Sequence, residues 1–128
     1  MTQSDKDLLL KDLCSRLPYG VKGEKYTIRM DGEFVPLIDV ETIIAEDIIT
    51  LNGCPGYMIK PYLFPLSSMT EEQKREFDIS MDMGYAAAYN AEINCANRMI
   101  DFFNKYHLDY RGLIPMGLAI DATNLNIY

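Results

Sequence analysis

The sequence predicts one α+β domain over residues 1–128. Its expected form is a small bent antiparallel sheet, an SH3-like partial barrel, flanked by an N-terminal helix and a long C-terminal helix. Three observations predict this. Residues 4–17 and 92–106 carry apolar side chains at helical spacing. Residues 21–60 break into short β-branched and aromatic runs divided by turn residues. The chain has 128 residues, 48% hydrophobic and 24% charged, enough to bury one core without disulfides or a metal.

The elements follow in chain order. Ser4 is the expected cap of the first helix, with Asp5 and Asp7 favoured by its dipole. Leu10, Leu13, Cys14 and Leu17 form its expected buried stripe, and Pro18 ends it. Residues 26–30 alternate as a strand, and Asp31-Gly32 signals a hairpin. Residues 33–40 are the partner strand, which Pro36 assigns to an edge or bulge. Residues 42–44 and 47–51 read as further strands, with a short helix over 41–46 as the alternative. Residues 56–60 are the last strand before Pro61, and residues 60–66 an extended connector.

Thr70 and Gln73 form a capping box that predicts a helix over 71–77. Residues 78–91 fit two descriptions. Met81, Met83 and Tyr85 alternate, whereas Ala86, Ala87 and Ala88 favour helix. Over 92–106, Ile93, Ala96, Ile100 and Phe103 form the stripe expected to dock on the core. Cys95, Met99, Phe102 and Tyr106 widen it. The tail, with Gly112, Pro115 and Gly117, is expected to be irregular, with one helical turn at 115–119.

The net charge of −7 is unevenly placed. Residues 1–30 carry six bases against four acids, and residues 31–60 six acids against one base. Phosphate neutralisation dominates duplex-DNA affinity, so this balance argues against nucleic acid. The N-terminal bases Lys6, Lys11, Arg16, Lys22, Lys25 and Arg29 are expected mainly as a solvated helix face and strand edges. No apolar run approaches the roughly 20 residues that span a bilayer. The first residues lack the apolar core of a secretory signal. The three cysteines are far apart with no C-x-x-C. Cys14 and Cys95 are expected to be buried and Cys54 exposed, in a reducing cytoplasm.

Three segments carry a resemblance: Leu-Cys-Ser-Arg-Leu-Pro-Tyr-Gly-Val at 13–21, Lys-Pro-Tyr-Leu-Phe-Pro-Leu-Ser-Ser-Met-Thr-Glu-Glu at 60–72, and the stretch from Asp101 to Ala119 that contains Asp-Tyr-Arg-Gly-Leu-Ile-Pro-Met-Gly. On these the chain resembles a family of small uncharacterised proteins of gut Bacteroidales and their phages and mobile elements. A His pair common in those proteins is here Tyr106-His107. The resemblance implies a bacterial or phage cytoplasmic origin. It implies no activity and no catalytic residues.

Catalytic and metal-binding patterns are sparse. There is no phosphate-binding glycine loop, no EF-hand loop and no G-x-S-x-G elbow. A Cys–His nucleophile pair would need His107, which a helix C-terminus explains as a cation without catalysis. No cofactor or metal is therefore expected. Asp109, Tyr110 and Arg111 are the leading interaction candidates, since Tyr and Arg anchor interfaces; Arg16, Tyr19 and Tyr62 come second. The competing reading has Asp109 and Arg111 tying the tail to the body, with Tyr110 in the core. The expected function is a small protein-interaction or adaptor module, with a homo-oligomer among its forms. The alternatives are a nucleic-acid module using the N-terminal bases and sheet tyrosines, and a ligand-binding or catalytic cleft between sheet and helices.

Overall fold

The computed structural model describes residues 2–29, 31–86 and 90–128. Its elements are α1 (Gln3–Arg16), β1 (Lys22–Ile28), β2 (Phe34–Thr42), α2 (Ala45–Gly53), β3 (Tyr57–Leu63), α3 (Glu71–Ala86), α4 (Ala91–Lys105) and β4 (Ile120–Asp121). The sheet runs β2-β1-β3-β4 and curls into a half-barrel. Its first three strands pair antiparallel, while β4 pairs parallel with β3, so the sheet is mixed.

Thr2, two residues ahead of the expected Ser4, caps α1 in a reciprocal box with Asp5. The buried face of α1 is Leu9, Asp12, Leu13 and Arg16. The expected stripe is thus rotated by about one residue, and Cys14 is exposed rather than buried. Two charged groups take that face because they satisfy one another there. Gly20, at φ 69°, turns the chain after a 3-10 turn over Leu17–Tyr19.

Strand β2 is one of the two edges of the sheet, and Pro36 lies in it as expected. Its register against β1 shifts between Lys25 and Tyr26 and again between Gly23 and Lys25. Such bulges twist an edge away from further pairing. Met30 and residues 87–89 lie outside the described residues, so those parts of the expected strand and of the 78–91 segment are not assigned.

Residues 47–51 are helix, not strand. Asp47 stands in the first turn of α2 and accepts the Ile44 N–H at 2.8 Å, while Leu51 faces the core. Pro61 does not end its strand either. The pairing with β1 finishes at Gly23↔Pro61, and the pairing with β4 starts at Tyr62↔Ile120. The residue without an N–H therefore sits where β3 changes partners. Strand β4 lies in the tail, where the sequence predicts a turn over 115–119; the turn spans 113–117 and the strand follows it. The core is Leu9, Leu13, Val21, Ile43, Leu51, Met58, Ile59, Leu63, Leu113 and Leu118.

The capping box of Thr70 and Gln73 is present, with bonds of 2.9 and 3.1 Å. The helix it starts continues to Ala86, so the described part of 78–91 is helical. Helices α3 and α4 form a hairpin. Phe77 meets Phe102 edge-on at 5.3 Å and stacks on Phe103 at 5.8 Å. Gly84, the one buried residue of α3, allows the closest approach: a Cβ there would stand 2.8 Å from Cys95 Sγ.

Gly84→Ala should therefore destabilise the chain by about 1 kcal/mol, because overpacking of roughly 1–3 kcal/mol exceeds the helix-propensity gain of about 1 kcal/mol. Cys95→Ala in the same chain should recover most of that loss. Urea unfolding of the two single variants and the double variant checks this; additive losses would refute the contact.

Candidate functional site

Four of the residues singled out from the sequence come together. Asp12 and Arg16, one turn apart on α1, are both fully buried. Arg16 Nε donates to Asp12 Oδ2 at 2.8 Å, and its Nη2 donates to the Leu108 carbonyl at 2.7 Å. Arg111 reaches in from the tail and donates from Nη1 to Asp12 Oδ1 at 2.8 Å. The Tyr110 ring lies against both cations, 5.0 Å from the Arg16 guanidinium carbon and 4.6 Å from that of Arg111. Its hydroxyl accepts from Arg111 at 2.8 Å and donates to Asn104 of α4 at 3.1 Å. Asp109 is buried and accepts the N–H groups of Leu113 and Ile114 at 2.8 and 2.9 Å, which folds the tail turn.

This cluster spends most of its polar groups on itself; Arg16 Nη1 is buried without a hydrogen-bond partner among the described residues. Arg111 keeps only 17% of its side chain in solvent, and Arg16 none. The arrangement joins α1, α4 and the tail. Asp12 is the member that the sequence reading missed. Its signal was the i, i+4 spacing to Arg16 on an otherwise apolar face.

The other two candidates lie elsewhere. Tyr19 donates to Asp101 of α4 at 3.2 Å and borders a cavity of about 240 Å³ with Glu76, Ser80, Arg98 and Lys105. Burial and the Asp101 carboxylate raise its pKa. Tyr62, 4% exposed, donates to Glu24, as does Tyr26.

His107 is not the exposed cation expected at a helix end. It is buried, stands at φ 56° and stacks on Tyr128 at 3.7 Å and 10°. Burial, with the nearby charges of Arg16 and Lys22, pushes its pKa down to about 4. The Tyr128 hydroxyl donates to the Tyr62 carbonyl at 2.7 Å and accepts the Lys22 N–H at 2.9 Å, and burial raises its pKa to about 12.

The hairpin is the opposite case. Ile93, Ala96 and Ile100, expected on the core, face solvent, with Ile93 60% exposed. Cys95 and Phe102, expected to widen that stripe, are buried, as expected of Cys95. Ile93 and Ile100 recur at i, i+7, and so do Cys95 and Phe102, two positions on. Two residues turn a helix by about 200°, so these pairs occupy opposite sides. On α3, Ile79, Met83 and Ala86 recur at i, i+4, i+7, and all three are exposed, Ile79 at 61% and Met83 at 55%. Among the described residues no group of three or more His, Cys, Asp or Glu side chains is placed to hold a metal.

Asp12→Ala should cost about 3–5 kcal/mol, since it leaves buried Arg16 without its counter-charge, while Asp12→Leu with Arg16→Met should recover part of that loss. Chemical denaturation measures both; a cost under about 1 kcal/mol for Asp12→Ala would refute the assignment. The depressed His107 pKa carries a second expectation. The unfolded chain takes up this proton near pH 6.5 and the folded chain only near 4, so stability falls as pH drops across that window, by up to about 3 kcal/mol. His107→Asn tolerates the positive φ and should abolish that slope in melting curves recorded between pH 4.5 and 7.

No family model, curated sequence or solved structure matches the chain.

Proposed function

We propose that the chain is a protein-interaction module that docks its partner on the outward face of α3. One observation carries this reading. Helix α3 buries a single residue, Gly84, against α4 while Ile79, Met83 and Ala86 stand in solvent on another face. Two large apolar side chains and an alanine in line at helical spacing on an exposed face mark a contact surface rather than scattered exposure. The charged cluster around Tyr110 supports the same choice from the other side, because its charges are paired within the chain and are largely buried.

The protein reading is favoured over nucleic acid by the fate of the N-terminal bases. Of the six, Arg16 is buried, Lys6 and Lys22 bind backbone carbonyls, and Lys25 and Arg29 pair with carboxylates, which leaves Lys11 exposed on α1. The hydroxyls of Tyr26 and Tyr62 are held by Glu24.

The test is co-purification from the native host with wild type and an Ile79→Ser/Met83→Ser variant. Both positions are exposed, so the melting temperature should stay within a few degrees of wild type. A protein held stoichiometrically by wild type and lost from the variant is the expected result. Identical captures by the two would overturn the proposal.

A further inference from the structure

We infer that the occupant of the α3 face is a basic amphipathic helix; this inference rests on the docking reading above and specifies the partner's chemistry. The apolar row of α3 is one turn-spaced line, Ile79, Met83 and Ala86. A helix laid along it buries that row with its own i, i+3, i+4, i+7 side chains, completing a third layer on the α3–α4 pair.

The charge beside the row selects the partner. Helix α3 carries Glu71, Glu72, Glu76, Asp78 and Asp82 against Lys74 and Arg75. Glu76 is taken by Lys105 at 2.8 Å and by Tyr106, and Glu71 pairs with Lys74 at 3.3 Å. Among the described residues Glu72, Asp78 and Asp82 have no ion-pair partner, and all three are exposed. Asp78 precedes Ile79, and Asp82 precedes Met83. Asp82, three residues after Ile79 and four before Ala86, borders the row, Asp78 lies one turn before it on the same edge, and Arg75, four residues before Ile79, is the one base on that side of the helix. Lysines and arginines flanking an apolar stripe would meet these acids at the rim, where complementary charge sets partner choice and on-rate.

A second copy of the chain is a poorer fit. A two-fold contact along this row would set the free carboxylates of one α3 near those of the other, at a cost in repulsion. An anionic membrane surface is disfavoured for the same reason.

The probe is a fluorescent helical peptide patterned with Leu at i, i+3, i+4, i+7 and Lys on its flanks, compared with a peptide carrying Glu in place of Lys. Fluorescence anisotropy against the full chain should show binding of the Lys peptide at least about tenfold tighter than the Glu peptide, weakening with salt. Asp78→Lys/Asp82→Lys should weaken the Lys peptide by about tenfold or more. Glu33→Lys/Glu46→Lys, an equal charge change just before β2 and on α2, should leave it within about twofold. Equal loss from both charge variants would mean only long-range attraction and would overturn the inference.

Ile79→Ser/Met83→Ser separates the two levels. If this variant loses both peptides while the wild type binds them equally, the docking face stands and the basic partner fails. If neither peptide responds to it, both fail. A wild-type dimer in sedimentation that Ile79→Ser/Met83→Ser converts to monomer would assign the face to a second copy instead.

Discussion

The buried carboxylate of Asp12 is the constraint around which the rest of the molecule is arranged. A charge with no solvent contact persists only when opposite charge and hydrogen bonds surround it. Arg16 supplies one partner from the same helix, and Arg111 supplies the other from the far end of the chain. Meeting both fixes the rotation of α1, and so decides that Leu9 and Leu13 face the sheet while Cys14 does not. The two guanidinium groups then hold the Tyr110 ring, which stacks on Phe103 at 5.5 Å, which stacks in turn on Phe77. One electrostatic requirement is thereby transmitted, ring by ring, into the base of the hairpin.

The molecule divides its chemistry accordingly. In the body, charged groups are paired internally: Lys25 lies between Asp47 and Glu41, whose carboxylates outweigh the lowering by burial and raise its pKa. Glu24 gathers two tyrosine hydroxyls. The hairpin has the reverse character, with one closely packed seam and apolar side chains beyond it. The body is thus closed on itself, while the outer faces of the hairpin carry exposed apolar side chains.

Much of this was legible in the sequence, and the failures are instructive. The α+β class, the caps at Thr70 and Gln73, the edge character of β2 and the span of α4 follow from local rules, because the interactions involved lie within a few residues. The 47–51 segment misleads because isoleucine-rich runs favour strands by propensity, whereas Asp47 and Leu51 here serve a helix start and the core. Helix α4 misleads more deeply. It is apolar on two opposite sides, and periodicity alone does not say which one the body uses. The choice depends on Gly84, which lets Cys95 approach α3. Asp12, the centre of the charged cluster, lies outside local rules because its second partner is 99 residues away.

That separation has a consequence for how the chain reaches its fold during synthesis. The contacts that define the α3–α4 hairpin close within residues 71–105, so this unit can assemble while the remainder is still emerging. The first helix cannot finish in the same way. Its carboxylate waits for residue 111, and β4 must thread in parallel beside β3 later still. Until then α1 carries an under-compensated charge on its apolar face and has reason to stay in water. The hairpin of the nascent chain is thus complete before residues 106–128, which seal the body, have arrived.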